Sequence, residues 1–354
     1  MARYIGLDVH AKSTTIAIVG PSGKKIGCQV VETNGKAIVA VLQTVPVPRN
    51  VCLEESTHSA WLYEVLAPHA EQVVVAAQSE KRGPNRSKSD QSDAFELAEK
   101  VRTNSVKTPV FKPVGKYGQL RELCRVYTMQ KRDWVRTQTR IKAFYRSRGL
   151  ATPGEAVFQP EERDQWVNKL PAKHRQAAYL LLQQYDALKE ICYRSQTQML
   201  QEARKHPATK LLATVPGIGP IRAAQLARVI ITPHRFRTAR QLWKYAGLGI
   251  VTFSSSDWVV DKHGQFVRGQ VQQTRGLNRD HNAIVKDIFK GAATTVIMKA
   301  DPQCRLYRHY QVMIANKIKP NLAKLTIARQ IASITLTIWK KEGEYDPAKV
   351  IAPQ

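Results

Sequence analysis

Acidic residues stand at four points where an element ends or begins. Asp8 closes the apolar run Tyr4 to Val9, and Glu55 closes the short run that starts at Val51. Asp90 and Asp93 lie in Lys88-Ser89-Asp90-Gln91-Ser92-Asp93-Ala94. Two aspartates three residues apart share one face of a helix. Hard Mg²⁺ ions, one or two of them, take carboxylate oxygens and keep several waters. A pair of such ions stabilises the attacking and the leaving oxygen of phosphodiester chemistry. Glu54 alternates to the strand face opposite Glu55, so only one of the two points at such a site. Each acid alone has an ordinary reading as a strand-end charge or a helix cap. The ordered set of four is what points to a metal site.

Two further segments carry chemistry. Val215-Pro216-Gly217-Ile218-Gly219-Pro220-Ile221-Arg222 has the form of a helix-hairpin-helix, flanked by Leu211 and Leu212 before it and by Ala224, Leu226 and Ala227 after it. Gly217 and Gly219 let a backbone approach a phosphate, and the N–H groups of the next helix start can hold it. A plain tight turn between two helices is the simpler alternative. Farther on, Gly247-Leu248 leads into Ser254-Ser255-Ser256-Asp257-Trp258. Three serines in a loop usually mean solvated polarity, and no His–Asp pair stands near them to activate a hydroxyl. His263 follows in the same loop and reads as a surface residue.

The elements that must position these groups change character along the chain. Tyr4 to Val9, Thr14 to Val19 and Lys25 to Glu32 read as three strands, with a turn at Gly20-Pro21-Ser22-Gly23. Helical spacing follows over residues 34–45, then a strand at Val51 to Glu55, and a helix marked by Trp61, Leu62, Val65 and Leu66. Gln72 to Ala77 is a strand with a continuous apolar run, a polar loop spans Ser79 to Ser89, and Ser92 to Val101 is a helix. This order predicts an α/β sandwich. Residues 117–148 predict a long basic helix with Arg121, Arg125, Arg132, Arg136 and Arg140 close to one stripe. Residues 172–205 predict a second, so the pair forms an antiparallel hairpin or coiled coil with a short joint. A third part, from about Pro207, reads as mainly helical and ends in a helix over Leu322 to Lys341. The expected fold is therefore α/β plus α, divided into residues 1–107, 108–206 and 207–354.

Charge separates these parts. The 354 residues hold 55 Lys+Arg against 28 Asp+Glu, a formal charge of +27. Residues 1–107 hold 13 and 11 of them, and residues 108–354 hold 42 and 17. That excess argues against an ordinary acidic metabolic enzyme and for a polyanionic partner. No apolar run is long enough to span a membrane, and the start at Met1 and Arg3 is not a signal peptide. Cys28, Cys52, Cys124, Cys192 and Cys304 are widely spaced without a Cys-x-x-Cys, so neither a zinc site nor a disulfide framework is expected, and a cytoplasmic location fits.

Taken in order, these motifs make the chain resemble the DEDD-type transposases of bacterial insertion sequences, the group that includes Piv-like DNA invertases and bridge-RNA-guided recombinases. The matching residues are Gly6-Leu7-Asp8-Val9-His10-Ala11-Lys12, Glu55-Ser56-Thr57, Lys88 to Ala94, Pro216 to Pro220, and Gly247-Leu248 followed by the serines and Thr274-Arg275-Gly276-Leu277-Asn278-Arg279. The resemblance implies a RuvC-like, that is ribonuclease-H-like, N-terminal domain with a metal site on Asp8, Glu55, Asp90 and Asp93. It also implies a C-terminal domain whose serine joins covalently to DNA. Spacing from Gly247-Leu248 puts that serine at Ser255, with Ser254 and Ser256 as register alternatives. The partners implied are donor and target DNA, a structured non-coding guide RNA, and further copies of the chain in a homodimer or homotetramer, associated with the bacterial nucleoid. Nucleic-acid contacts are expected from Arg125, Arg132, Arg136 and Arg140, from Gly217, Gly219 and Arg222, and from Arg275 and Arg279.

Three readings compete: an RNA-guided recombinase with a phosphoserine intermediate, a RuvC-like metal-dependent junction nuclease that hydrolyses and releases, and a non-catalytic architectural protein built on the helix-hairpin-helix. All three require polyanion binding through the basic part of the chain. Affinity is expected to fall steeply with salt, because phosphate contacts release counterions. A salt titration in which residues 1–107 alone bind as tightly as the whole chain would overturn the charge argument.

Overall fold

The computed structural model describes residues 1–77, 89–106, 109–110, 117–253, 258–268, 273–299 and 301–347. The chain divides into two compact units, Met1–Lys116 and Tyr117–Gln354.

The first unit is an α/β sandwich. Its strands are β1 (Arg3–Val9), β2 (Ser13–Val19), β3 (Lys25–Glu32), β4 (Arg49–Glu54) and β5 (Gln72–Ala76), and its helices are α1 (Gly35–Thr44), α2 (Ser59–Leu66) and α3 (Asp90–Arg102). The sheet order is β3-β2-β1-β4-β5. β1, β2 and β3 form an antiparallel meander, whereas β4 and β5 run parallel to β1. Strand alternation sorts the side chains. Ile5, Leu7, Val51, Leu53 and Val75 face one way and bury Ile38 and Leu42 of α1 with Leu62 and Leu66 of α2. Cys52 and Ala76 face the other way and pack with Leu97 and Val101 of α3, beside Tyr4 and Val74. Both faces are therefore covered, which explains the near-continuous apolar runs.

Gly6 sets how closely α3 lies on the sheet. A Cβ there would stand 1.9 Å from the Ala94 carbonyl oxygen and 2.5 Å from the Ala98 nitrogen. Helix backbone thus rests directly on strand backbone. The start of α3 is fixed by a capping box, in which the Ser89 hydroxyl accepts from the Ser92 N–H and the Ser92 hydroxyl accepts from the Ser89 N–H. Neither Asp90 nor Asp93 is the capping residue.

The second unit is mostly helical. Its helices are α4 (Gly118–Arg146), α5 (Arg163–Asn168), α6 (Ala172–Arg204), α7 (Pro207–Ala213), α8 (Pro220–Ile230), α9 (Ala239–Tyr245), α10 (Ala283–Lys299), α11 (Arg305–Ala315) and α12 (Pro320–Lys341). α4 and α6 pack as an antiparallel hairpin. The end of α4 (Ile141, Tyr145) meets the start of α6 (Ala178, Leu182, Tyr185) in a small core. The joint between them, residues 147–171, is more than a bare turn: its Val157, Phe158, Val167 and Leu170 fill that core. At the other end, Leu120, Cys124 and Tyr127 of α4 and Cys192, Met199 and Ala203 of α6 share one core with residues of α7, α8, α10 and α12. The division expected at residues 206 and 207 falls inside this unit.

Between α9 and α10 lie four short strands that the sequence reading did not anticipate: β6 (Ile250–Phe253), β7 (Trp258–Val260), β8 (Phe266–Arg268) and β9 (Gln273–Leu277). β6 pairs with β9 and β7 with β8, both antiparallel. Runs of three to five residues are too short for alternation to stand out. Among the described residues no helix is long and apolar enough to cross a membrane.

Gly6→Ala is expected to destabilise the first unit by ~1–3 kcal/mol, because the added methyl must displace α3 backbone rather than a flexible side chain. A thermal melt of the variant beside the parent chain checks this, and an unchanged melting temperature would refute the close approach.

Candidate active site

The contact at Gly6 decides what gathers at the end of β1. Asp8 lies two residues beyond Gly6 and so on the same sheet face, where the first turn of α3 carries Asp90 and Asp93. Asp8 is 22% exposed and Asp90 56%. His10, two residues farther along that face, bridges them. Its Nε2 lies 3.2 Å from Asp8 Oδ2 and 3.5 Å from Asp90 Oδ1. Ligand atoms of Asp8, His10 and Asp90 all fall within 4.8 Å of one another. The Asp8 carboxyl is raised above the ordinary aspartate range. Burial is the largest cause, the neighbouring charge and hydrogen bond of His10 oppose it, and the like charges of Asp90 and Asp93 add to it. The structure thus brings Asp8, Asp90 and Asp93 into one electrostatic cluster. His10 was absent from the expected ligand set, although its spacing of two from Asp8 was the available signal.

The glutamates separate. β4 ends at Glu54, and Glu55 follows it with its N–H on the Ala76 carbonyl (2.8 Å). Glu55 Oε2 accepts from the buried Ser59 hydroxyl at 3.0 Å. The parallel register Gly6↔Cys52 and Leu7↔Leu53 continues by one residue to set Asp8 beside Glu54. Cys52 packs on α3, so alternation turns Glu54, not Glu55, toward the α3 face. The expectation for Glu55 rests on its Glu-Ser-Thr motif, whereas the sheet favours Glu54.

The donor set suits a hard divalent cation. Carboxylate oxygens dominate it, and a cation would offset the burial that chiefly raises the Asp8 carboxyl and the lesser repulsion from Asp90 and Asp93.

In the second unit, α7 and α8 flank a turn where the helix-hairpin-helix was expected. Gly217 has φ +78°, and a Cβ on it would stand 2.4 Å from the Ala292 carbonyl oxygen, so this glycine seats the turn against α10. Gly219, the N-cap of α8, has open space around it. The Arg222 guanidinium donates from Nη1 to the Gly217 carbonyl (2.7 Å) and the Thr295 hydroxyl (3.0 Å), which braces the same turn. Burial pushes its pKa down. Arg125, Arg132, Arg136 and Arg140 are exposed along α4, with Arg136 paired to Asp133 at 2.9 Å. Arg279 is exposed just before α10, and Arg275 lies in β9. His263 is exposed, as expected.

Ser254, Ser255, Ser256 and Asp257 lie outside the described residues, as does Lys88. The strands flanking the serines are described. The pairing Ile250↔Leu277, with the Asn278 N–H on the Gly249 carbonyl (3.0 Å), brings Gly247-Leu248 together with Leu277-Asn278. Leu248 is fully buried, and its carbonyl accepts from Arg329 Nε at 2.8 Å.

An α/β unit that gathers carboxylates at the end of its central strand, in a chain of charge +27, offers a candidate divalent-metal site in a protein suited to a polyanionic partner. Comparison with protein families makes this specific. The IS110-type DEDD transposase model, described as Transposase, matches residues 5–147, and the model of the Transposase IS116/IS110/IS902 family matches residues 209–309. The chain belongs to the IS110 family of DEDD transposases, DNA strand-transferring enzymes that use a divalent metal. No curated protein matches it.

The raised Asp8 carboxyl has a stability consequence. A carboxyl raised in the folded state contributes stability below its unfolded value and loses it as pH rises through the folded value. At neutral pH, the ionised group is a burden on the metal-free chain. Asp8→Asn is therefore expected to raise the melting temperature in chelator at pH 7, with the gain fading in acid below the ordinary aspartate range. Mg²⁺ should raise the melting temperature of the parent but not of the variant. Melts of both proteins against pH and Mg²⁺ check this, and a destabilised variant at pH 7 in chelator would contradict the assigned cause.

Proposed function

We propose that this transposase is an RNA-guided recombinase of its insertion sequence, which cuts and rejoins DNA through a covalent phosphoserine intermediate. The observation that carries the reading is the convergence of Asp8 and Asp90 at the end of β1, with Asp93 acting on the same carboxyl. The strand order β3-β2-β1-β4-β5, with a meander followed by parallel strands, supports a RuvC-like identity for the first unit. Mg²⁺ is the proposed ion, held by Asp8, Asp90, Asp93 and one glutamate. When bound, it supplies Lewis-acid stabilisation of phosphodiester oxygens. Asp8 at the end of β1, Asp90 and Asp93 at the start of α3 and one glutamate at the end of β4 would hold it, and His10 lies between Asp8 and Asp90.

Ser255 is the proposed nucleophile, supported by its spacing from Gly247-Leu248. Its hydroxyl gives up a proton and forms a bond to a DNA phosphorus while the displaced deoxyribose oxygen leaves as a hydroxyl. The phosphoserine ester conserves the bond energy, so the hydroxyl of a new strand can replace the serine without ATP. The exposed arginines of α4, with the turn at Gly219, support binding of donor DNA, target DNA and a structured guide RNA. Exposed Leu180, Ile191 and Tyr193 on α6 support a homodimer or homotetramer joined through the long helices. A cytoplasmic, nucleoid-associated location follows from the DNA substrate.

The test is to incubate the chain with Mg²⁺, guide RNA and element-end DNA, then denature. A protein-linked DNA band is expected, and free nicked DNA in its place would select the junction nuclease. Asp8→Ala, Asp90→Ala and Asp93→Ala should abolish cleavage and spare binding. On the geometry of the sheet, the larger loss is expected from Glu54→Gln, and the reverse ranking returns the role to Glu55. Ser255→Ala should lose the adduct, with Ser254→Ala and Ser256→Ala milder. Peptide mapping that places the DNA on another residue moves the nucleophile.

A further inference from the structure

β7 and β8 form a two-stranded hairpin whose large apolar side chains point into solvent. Its register pairs Trp258 with Arg268, Val259 with Val267 and Val260 with Phe266. Paired residues share a face, so Trp258, Val260 and Phe266 lie together, exposed by 62%, 59% and 73%. The hairpin is well formed at its tip. Asp261 Oδ1 accepts from the N–H groups of His263 (2.8 Å) and Gln265 (2.9 Å), and the Asp261 N–H donates to the Gln265 carbonyl (2.8 Å). An isolated two-stranded ribbon is marginal in water, and two aromatic rings on one face of it mark a surface made to be covered.

Size and charge select what covers it. Two aromatics and a valine offer at most roughly 600 Å², below the ~800 Å² per partner of a standard protein interface. A second copy of the chain also carries +27. On the hairpin the Asp261 carboxylate accepts from the N–H groups of the turn, and Lys262 and Arg268 outnumber it, which leaves the hairpin net positive. Small, aromatic and carried on a net-positive hairpin of a chain of charge +27, the face suits nucleic acid. A ribbon that reads an intact major groove needs hydrogen-bonding side chains at base edges, whereas rings stack on bases that are already unpaired.

We propose that Trp258, Val260 and Phe266 form a stacking platform for unpaired bases of the DNA substrate. Trp258 follows Ser255 by three residues, so their Cα atoms are at most ~11 Å apart. A base held on the platform keeps its strand beside the segment that carries the proposed nucleophile. That purpose rests on the Ser255 reading, but the stacking itself does not.

The experiment is an anisotropy titration of the full chain with a labelled single-stranded oligodeoxynucleotide, the matching duplex and the RNA of the same sequence. Trp258→Ala/Phe266→Ala is expected to bind the single-stranded DNA roughly tenfold more weakly or worse, with duplex affinity within about twofold of the parent. Trp258→Phe should keep the parent's affinity for single-stranded DNA and Trp258→Leu should weaken it, which separates stacking from apolar contact. Unchanged affinity for single-stranded DNA overturns the proposal. So does a loss confined to the RNA, which assigns the face to the guide, and so does a fall in oligomeric mass by light scattering without a loss of DNA binding. A platform that holds while no protein–DNA adduct forms rejects the covalent step alone.

Discussion

The first unit depends on one contact between backbones. α3 lies directly on β1 because residue 6 has no side chain, and the Ala94 carbonyl occupies the space where a Cβ would stand. This approach lets Leu97 and Val101 reach Cys52 and Ala76, closing the second face of the sheet. It also sets the first turn of α3 over the end of β1, so that Asp90 and Asp93 act on Asp8. A larger residue at position 6 would lift the helix and separate the acids, so packing and chemistry share a single constraint.

That arrangement has an energetic cost. Half-buried carboxylates of like charge do not help a protein fold. The raised Asp8 carboxyl records the conflict, and His10 relieves only part of it. Such a conflict fits the metal site proposed above, which a ligand of opposite charge would relieve. The burden is carried by the opposite face, where Ile5, Leu7, Val51, Leu53 and Val75 bury against α1 and α2.

The second unit uses glycine in the same way. Gly217, at positive φ, seats the turn before α8 on the backbone of α10, and Gly247 (φ +63°) lies where a Cβ would stand 2.5 Å from the His281 ring. The residues that resemble a phosphate-binding hairpin and a serine motif therefore also have packing duties. Arg222 illustrates the overlap, since its guanidinium braces Gly217 and Thr295. Gly219 and the α4 arginines keep the open space and exposure that a nucleic-acid contact needs.

Local pattern alone determined much of this protein. The turn at Gly20 to Gly23 and helical spacing place the strand Lys25–Glu32 and the start of α6 to the residue, because both signals are complete within a few turns or a few residues of chain. The identities of Asp8, Asp90 and Asp93, the basic stripe of α4 and the family motifs were likewise legible, since they depend on residue type and spacing. The tertiary structure decided which glutamate shares a face with Asp8, because that depends on which helix covers which side of the sheet. It decided that His10 bridges Asp8 and Asp90, that the long hairpin shares a core with α7, α8, α10 and α12, and that Leu277-Asn278 returns to Gly247-Leu248. Each of these is a contact between residues distant in the chain or on neighbouring elements, and local periodicity holds no information about which surfaces meet.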